Sequence, residues 1–341
     1  AGVGVIFYVM CALRSALKEK QWFAEQNIDC PNMANYLDLV ALGTVADVVK
    51  LDKNNRVLVH QGIQRMRAGL VRPGIVALMQ VAGRDIKRLV SSDLGFIVGP
   101  RLNAAGRLDD MTFGITCLLA ESISEALPMA SELDQLNRER RAIETQMQSE
   151  AFELIDQLHL SEQLPLGVCL YDETWHQGVV GLVASRVKEK CHRPVIAFAK
   201  TDDNELKGSA RSVSGVHIRN VLEGVATAHP NLVSKFGGHA MAAGLSIDAN
   251  KFEAFSQAFA EEVAKYIQSE NLCGKIETDG ELANEHFTLE LAELIRDGGP
   301  WGQGFPEPLF DGEFRLINQR IVGQRHLKVV LQTDDSEYYL D

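Results

Sequence analysis

The stretch KFGGHAMAAG, residues 235–244, places two glycines and a histidine ahead of a run of small side chains. Gly237 and Gly238 would let the backbone approach a ligand closely. His239 can donate a hydrogen bond to an anionic oxygen. The other interpretation is a glycine turn before a strand, with a histidine whose hydrogen bonds are satisfied within the fold. In both cases the pattern predicts a turn followed by a strand.

The residues on either side of this stretch alternate between strand and helix patterns. Short apolar runs at LGVCLYD and PVIAFAK predict strands, and KGSARS predicts a strand or a turn. Helix-spaced apolar residues in VVGLVASRVKEK, HIRNVLEGVATA and FEAFSQAFAEEVAKYIQ predict helices. The region from about residue 165 to 270 is therefore predicted to be a compact α/β domain with a mixed sheet.

The regions on either side of this domain show different sequence patterns. Residues 1–120 are predicted to be mainly helical, and the opening AGVGVIFYVM is predicted to be a buried helix rather than a signal peptide. One long helix is expected from about Ser122 to Leu160, with a charged run on a solvated face. After about Lys275, period-two alternation and glycine turns predict a small β-barrel with too few strands to close.

Composition limits the function classes. The chain has 341 residues, 46% of them apolar and 23% charged, which is typical of a globular protein of two or three domains. No apolar run is long enough to cross a bilayer. The net charge of −12 argues against a surface coated by nucleic acid, but it leaves room for a local basic channel. The six scattered cysteines predict buried free thiols in a reducing cytoplasm.

Three further segments combine small residues with cationic or polar side chains. GPRLNAAGR is predicted to be a Gly/Ala-rich turn in which Arg101 and Arg107 flank Asn103. Arginine forks suit phosphate oxygens, although ion pairs in an interdomain turn would explain the same residues. In DETWHQGVVGLVASRV, Trp175 and His176 lie at a predicted helix N-terminus, where anions are favoured.

KGSARS adds two hydroxyls and a guanidinium, including Ser209 and Arg211, although serine and arginine are also common on exposed strand edges. A pocket for a phosphodiester needs both close backbone approach and cationic forks. The recurrence of such segments therefore favours a phosphate-binding site over unrelated turns. No Walker loop, HExxH or GxSxG motif occurs in the sequence.

Asp47, in GTVADVV, is a lone carboxylate after an apolar run. If it is buried it needs a partner, because an unpaired buried charge is costly. A helix cap or an ion pair would provide one. The alternative is a ligand for Mg²⁺ or Mn²⁺, which prefer carboxylate oxygens. No acidic cluster lies nearby in the sequence, and Asp38 could face elsewhere.

Taken in order, these motifs resemble the RecJ family of the DHH phosphoesterase superfamily. LDLVALGTVADVV is similar to the fourth superfamily motif, and GPRLNAAGR, WHQGVVGLVASR, KGSARS and KFGGHAMAAG are similar to the family signatures that flank and fill the DHHA1 domain. GGPWGQGFPEPLFDGEF, followed by HLKVVL, resembles the start of the family's OB-fold. The resemblance covers essentially the whole chain, but the first three superfamily motifs, including Asp-His-His, are missing. We therefore expect a fragment that is inactive alone.

The resemblance implies an α/β fold class with four parts. Residues 1–120 would be the C-terminal helical part of a DHH domain, and 121–160 a long connecting helix. Residues 161–270 would be a mixed-sheet DHHA1 domain, and 271–341 the start of a truncated OB-fold β-barrel.

The resemblance also implies an activity, the single-strand-specific 5′→3′ exonuclease reaction, with two-metal hydrolysis by Mn²⁺ or Mg²⁺. Asp47 would bind metal and His239 would touch the scissile phosphate. Arg101, Ser209 and Arg211 would hold a 5′ phosphate, with Arg107 a further candidate. Additional substrate contacts are expected from Asn103, Trp175, His176, Gly237 and Gly238.

The implied partners are single-stranded DNA, a single-strand binding protein and a helicase, for a cytoplasmic monomer that acts in DNA repair and recombination and binds no membrane. Two alternatives stay open. One is another DHH-type phosphoesterase, such as a hydrolase of short oligonucleotides or a pyrophosphatase. The other is a module that binds single-stranded nucleic acid without catalysis.

Overall fold

The computed structural model describes residues 1–108, 110–161, 164–201, 204–267, 274–323, 326–333 and 339–340. The chain forms two compact units. Unit 1 contains Ala1–Leu102, Ile115–Ser131 and Ile276–Asp341, and unit 2 contains Asn103–Gly114 and Glu132–Lys275.

Helices dominate the first part of unit 1. They are α1 (Gly2–Glu19), α2 (Trp22–Glu25), α3 (Leu37–Ala46), α4 (Lys53–Arg67), α5 (Pro73–Val81) and α6 (Ser91–Asp93). Helix α3 is buried along most of its length and packs closely on α4. Its one buried charge, Asp38, is only 3% exposed and accepts a 2.6 Å ion pair from Arg72. Asp38 is thus a structural residue that ties α3 to the start of α5.

Helix α1 forms where the sequence predicts it, but it is not buried. Only Phe7 lies in the described core of this region, where it packs with Met33, Leu37 and Val40. The apolar side chains on its other faces, Val5, Ile6, Tyr8, Val9 and Leu13, are exposed. The expectation of a buried helix was therefore wrong for the described chain, because α1 is apolar on more faces than its contacts cover.

Three helices run across the division between the units. They are α7 (Gly99–Leu108), α8 (Met111–Leu119) and α9 (Ile123–Ser161). The long helix expected at residues 122–160 is α9. Within unit 2, Met147, Ala151 and Ile155 of α9 are buried against the sheet domain.

Unit 2 is built on one mixed sheet. Its elements are β1 (Val168–Tyr171), α10 (Val180–Cys191), β2 (Val195–Lys200), β3 (Glu205–Arg211), α11 (Ile218–Ala228), β4 (Lys235–Gly238), β5 (Ala242–Asp248) and α12 (Phe252–Ala264). The strand order is β1-β2-β3-β5-β4. Strands β1 and β2 are parallel, and the other neighbours are antiparallel. The predicted mixed sheet is confirmed.

The two faces of this sheet carry different cores. On one face, α10 and α9 cover β1 and β2, with side chains such as Val168, Val183 and Val195. On the other, α11 and α12 cover the middle of the sheet, where Phe198 and Leu245 are buried. Helices α9 and α10 do not extend over β5 and β4. On these two strands, the face opposite α11 and α12 carries exposed glycines.

The end of the chain returns to unit 1. It contains α13 (Leu289–Gly298) and an antiparallel sheet of β6 (Arg315–Val322), β7 (His326–Gln332) and β8 (Tyr339–Leu340). Between α13 and β6, Trp301 stacks on Phe305, and the Ser91 hydroxyl donates to the Trp301 carbonyl at 2.8 Å. Arg56 of α4 lies over the Phe305 ring. These contacts attach the segment before the sheet to the helical part of unit 1.

The described cysteines are free thiols, as predicted, but not all are buried. Cys117 and Cys191 are buried and Cys30 is exposed, while Cys273 lies outside the described residues. Burial raises the pKa of the Cys169 thiol to about 12. In the part of the chain that the structure describes, no helix has both the length and the apolar character that a membrane span requires.

Candidate active site

The end of β3 and the start of α10 bring a guanidinium and a hydroxyl together. Arg211 donates through Nη1 to the Ser209 hydroxyl at 2.9 Å and to the Ala210 carbonyl at 2.8 Å. A Cβ on Gly181, the second residue of α10, would lie 2.8 Å from Arg211 Nη2 and 2.9 Å from Ser209 Oγ. Glycine at 181 therefore makes room for both groups at the N-terminal turn of α10, where backbone N–H groups also favour an anion.

The same sheet face continues as a row without side chains. Ser209 of β3 pairs with Gly244 of β5, and Gly244 pairs with Gly237 of β4. Partners in register point to the same face of a sheet. A Cβ on Gly237 would meet nothing within 4 Å, and one on Gly244 would only touch the Gly208 carbonyl at 4.0 Å. We call Gly237 and Gly244 the glycine floor. Both glycines are exposed, so the described residues leave the space next to this floor open.

Gly238 differs from its neighbour. Its φ is +152°, and a Cβ there would lie 2.5 Å from the Ala242 carbonyl oxygen and from Ala243 Cα. The next residue, His239, closes the β4–β5 hairpin by donating its backbone N–H to the Ala242 carbonyl at 2.8 Å. The hairpin itself therefore requires glycine at 238, whereas nothing in the described fold requires it at 237.

The His239 side chain is exposed at this hairpin, and in the described part of the chain its imidazole has no hydrogen-bond partner. Ala242, which accepts the His239 N–H, is in register with Arg211. The backbones of β3 and β4 are separated by two strand spacings, about 9.5 Å. The sheet register therefore brings His239, the glycine floor, Ser209 and Arg211 to one edge of unit 2.

Trp175 and His176 follow β1 in a loop before α10. The Thr174 hydroxyl and N–H hydrogen-bond to Asp172 and hold the pKa of that carboxyl below its usual range. Trp175 is 3% exposed and donates its indole N–H to Glu150 of α9 at 2.9 Å. Such burial does not support the expected contact with substrate, because the ring is packed in the core and holds the loop against α9. His176 is exposed, with Nδ1 accepting the Gly178 N–H.

The GPRLNAAGR segment is helical, so the expectation of a turn was wrong. Alanine, leucine and arginine favour helix, and they outweigh the two glycines of α7. Arg101, in unit 1, is buried and donates to the Ile97 carbonyl at 2.8 Å. Asn103, in unit 2, is exposed. Residues two apart on a helix point in different directions. The Arg107 side chain lies outside the described residues.

Asp47 lies just past the C-terminus of α3 and is exposed. Among the described residues, its carboxylate has no hydrogen-bond or ion-pair partner. A helix C-terminus carries partial negative charge, so this carboxylate is placed where a cation would be favourable. Asp47 does occupy the C-cap position of α3, as one alternative expected, but its backbone N–H makes the cap hydrogen bonds, and no ion pair of its carboxylate is found among the described residues.

The next residue adds a second unusual feature. Val48 has φ of 54° and is 65% exposed. A β-branched residue in the left-handed region is strained, and such strain is concentrated at functional sites. The described residues contain no group of three or more His, Cys, Asp or Glu side chains that could hold a metal ion. A cation at Asp47 would therefore need further ligands from elsewhere.

Two residues of this arrangement were not identified from the sequence. Gly181 lies in a segment predicted to be helical, and nothing in the helix pattern indicated that a glycine there makes room for Arg211 and Ser209. Gly244 closes the quoted KFGGHAMAAG stretch, and alternation along β5 would have placed it on the same face as Ala242. Its significance depends on the pairing with Ser209 and Gly237, which only the register provides.

Comparisons with known proteins identify the domain families of the chain and its relatives. Residues 164–265 match the DHHA1 domain family, and residues 278–340 match the RecJ OB domain family. The single-stranded-DNA-specific exonuclease RecJ of Dickeya dadantii is 58% identical over 97% of this chain and 58% of that protein. The protein of the same name from Escherichia coli K12 is 57% identical over the same shares.

Among solved structures, the fold is similar to that of RecJ in complex with Mg²⁺ from Thermus thermophilus. The TM-score is 0.75 at 28% identity, over 92% of this chain and 47% of that chain. The two family models and the similar fold thus identify a DHHA1 domain that is followed by an OB domain. The resemblance to the RecJ family that the motifs predict is confirmed. The chain spans 58% of the length of these two curated relatives.

Proposed function

We propose that this chain is part of a single-stranded-DNA-specific 5′→3′ exonuclease, which hydrolyses phosphodiester bonds with Mn²⁺ or Mg²⁺. Its close relatives carry the name of that activity, and two of its RecJ structural neighbours were solved with Mg²⁺ and with Mn²⁺. DNA repair and recombination, a cytoplasmic location, a monomeric state, and association with a single-strand binding protein and a helicase belong to the same proposal.

One observation carries the proposal: the pairing of Arg211 with Ser209 at the start of α10. A guanidinium, a hydroxyl and a helix N-terminus together suit the terminal phosphate of a strand. The glycine floor beside them lets a sugar-phosphate backbone approach the sheet without meeting side chains. If Arg211 and Ser209 hold the terminal phosphate at one end of the glycine floor, the protein binds the end of a strand in preference to its interior.

The chemical step assigns roles to two further residues. Two divalent cations, when bound, activate a water and stabilise the leaving oxygen. Asp47 would hold one of them, because its exposed carboxylate at the negative end of α3 is suited to a cation. His239 would donate a hydrogen bond to an oxygen of the scissile phosphate, since its imidazole is exposed at the end of β4.

The remaining predicted contacts divide by exposure. Asn103 and His176 are exposed and stay candidates for contact with the strand. Arg101 and Arg107 stay candidates for the 5′ phosphate on the resemblance alone. Trp175 would act through its packing, by positioning the loop before α10.

The test is an Arg211→Ala variant of the full-length protein. Binding to 5′-phosphorylated and 5′-hydroxyl single strands is measured without divalent cations. The loss of a charged hydrogen bond, about 1.5–3 kcal/mol, should reduce the preference for the phosphorylated end roughly 10- to 150-fold. Arg219→Ala, on α11 and the other side of the sheet, removes the same charge and should leave the preference intact. Equal losses on both ends would refute the assignment.

A further inference from the structure

Two lysines occupy the next row of the open sheet face. Lys207 of β3 pairs with Ser246 of β5, and Ser246 pairs with Lys235 of β4. The row lies two residues from Ser209 along β3, so its side chains point to the same face as the glycine floor. Both lysines are exposed, while Ser246 between them is buried. Among the described residues, neither ammonium group has a hydrogen-bond or ion-pair partner.

The positions of these lysines extend the cationic edge of the site. Two residues of strand span about 6.7 Å, so the backbone of Lys207 lies about 6.7 Å beyond Ser209 and about 13 Å beyond Arg211. The backbones of Lys207 and Lys235 are about 9.5 Å apart, with β5 between them. Long flexible stems allow both ammonium groups to reach one polyanion above Ser246. The glycine floor thus has cationic groups at both ends.

The next row of the sheet face is acidic and limits how far a bound strand can extend. Glu205 pairs with Asp248 on the same face, two residues beyond Lys207. Carboxylates there would repel phosphate. A strand that follows the face from Arg211 would therefore meet two lysines and then an acidic row, which favours binding within the first three rows.

Lys235 has another explanation, because β4 is an edge strand and lysines commonly protect sheet edges. This does not apply to Lys207, since β3 lies between β2 and β5. An exposed lysine on an internal strand, beside a floor without side chains, is better explained by a ligand.

We propose that Lys207 and Lys235 together bind an internal phosphate of the single strand, beyond the glycine floor from the Arg211 end. This inference rests on the proposed function, since it requires a single-stranded DNA substrate on this face. It differs from the role of Arg211, because contact with an internal phosphate does not depend on how the 5′ end is modified.

The experiment uses the full-length protein with Lys207→Gln, Lys235→Gln and both changes. Affinity for a fluorescent single-stranded oligonucleotide, with either a 5′ phosphate or a 5′ hydroxyl, is measured over a range of salt concentrations with a chelator present. Loss of the contact with this one phosphate should reduce the slope of log affinity against log salt by about 0.7 in the double variant, and by less in each single variant. The weakening should be the same for both ends.

Two controls accompany the measurement. Lys265→Gln removes one charge from the end of α12, on the other side of the sheet, and should leave the slope unchanged. Lys207→Arg with Lys235→Arg keeps both charges and should retain the original slope. If the glutamine variants match Lys265→Gln, or lose affinity only for phosphorylated ends, the lysine assignment is wrong while the proposed function stands. If the unaltered protein does not bind single strands, both are wrong.

Discussion

The open face of unit 2 and the end of α3 in unit 1 differ in how much of a site each one holds. On unit 2, neighbouring strands bring Ser209, Arg211 and His239 to one edge through their register. At the end of α3, Asp47 belongs to no cluster of metal-binding side chains among the described residues. The groups that we propose hold phosphate are brought together by a single sheet, whereas the described residues contain no cluster of side chains that could hold a metal ion.

The two places also differ in electrostatic sign. Arg211 and the start of α10 attract an anion, and the α10 dipole adds to that attraction. Asp47 adds a negative charge to the negative end of α3, so it would repel a phosphate unless a cation lay between them. Binding of the strand and chemistry on it should therefore be separable by mutation.

The largest expected effect comes from Asp47→Ala in the full-length protein. Metal ions supply several kcal/mol of transition-state stabilisation, so Mn²⁺-dependent cleavage should fall at least about a hundredfold. Binding of single strands without divalent cations should not weaken, because a repulsive charge is removed. Digestion and binding assays on the same preparation measure the two quantities.

Asp29→Ala provides a matched control for Asp47→Ala, since it removes an exposed carboxylate from the same unit. It should leave both quantities unchanged. If Asp47→Ala cleaves at the unaltered rate, this residue is not a metal ligand. The end of α3 would then have no catalytic role to set against strand binding on unit 2.

The second effect concerns the stability of the unit 2 face. Gly238→Ala would force a side chain into a left-handed conformation and against the Ala242 carbonyl. The neighbouring atoms are backbone and cannot move cheaply, so the free energy of unfolding should fall by about 2 kcal/mol. Urea unfolding measures it. An unchanged midpoint would mean that the hairpin does not need glycine at 238.

The sequence predicted much of unit 2 because its local signals agree with one another. Strand runs such as PVIAFAK and helix patterns such as HIRNVLEGVATA formed β2 and α11. The resemblance of KGSARS and KFGGHAMAAG to family signatures also predicted that Ser209, Arg211 and His239 belong to one site. The sequence could not separate Gly237 from Gly238, because the hairpin geometry sets their φ values and spacing does not encode them.

Other misassignments have tertiary causes or reflect competing local preferences. The glycines of GPRLNAAGR predict a turn, yet the intrinsic preference of its other residues forms α7. The motif around Trp175 predicts a cleft residue, but a partner for its indole N–H lies 25 residues earlier on α9, which no local pattern reveals. The exposure of α1 likewise depends on which surfaces pack against it, and hydrophobicity alone does not decide this.

The smallest expected effect on the fold, and the sharpest test of the open face, is Gly237→Ala. The added methyl group would enter open space, and φ at 237 lies outside the left-handed region. Because glycine weakens a strand, stability should stay unchanged or rise by about 0.5 kcal/mol. Affinity for single strands should nevertheless fall several-fold, since the methyl group occupies the floor beside Ser209. If affinity is unchanged, the strand does not contact this floor. Recognition of the strand would then depend on the polar and charged side chains at the ends of the floor.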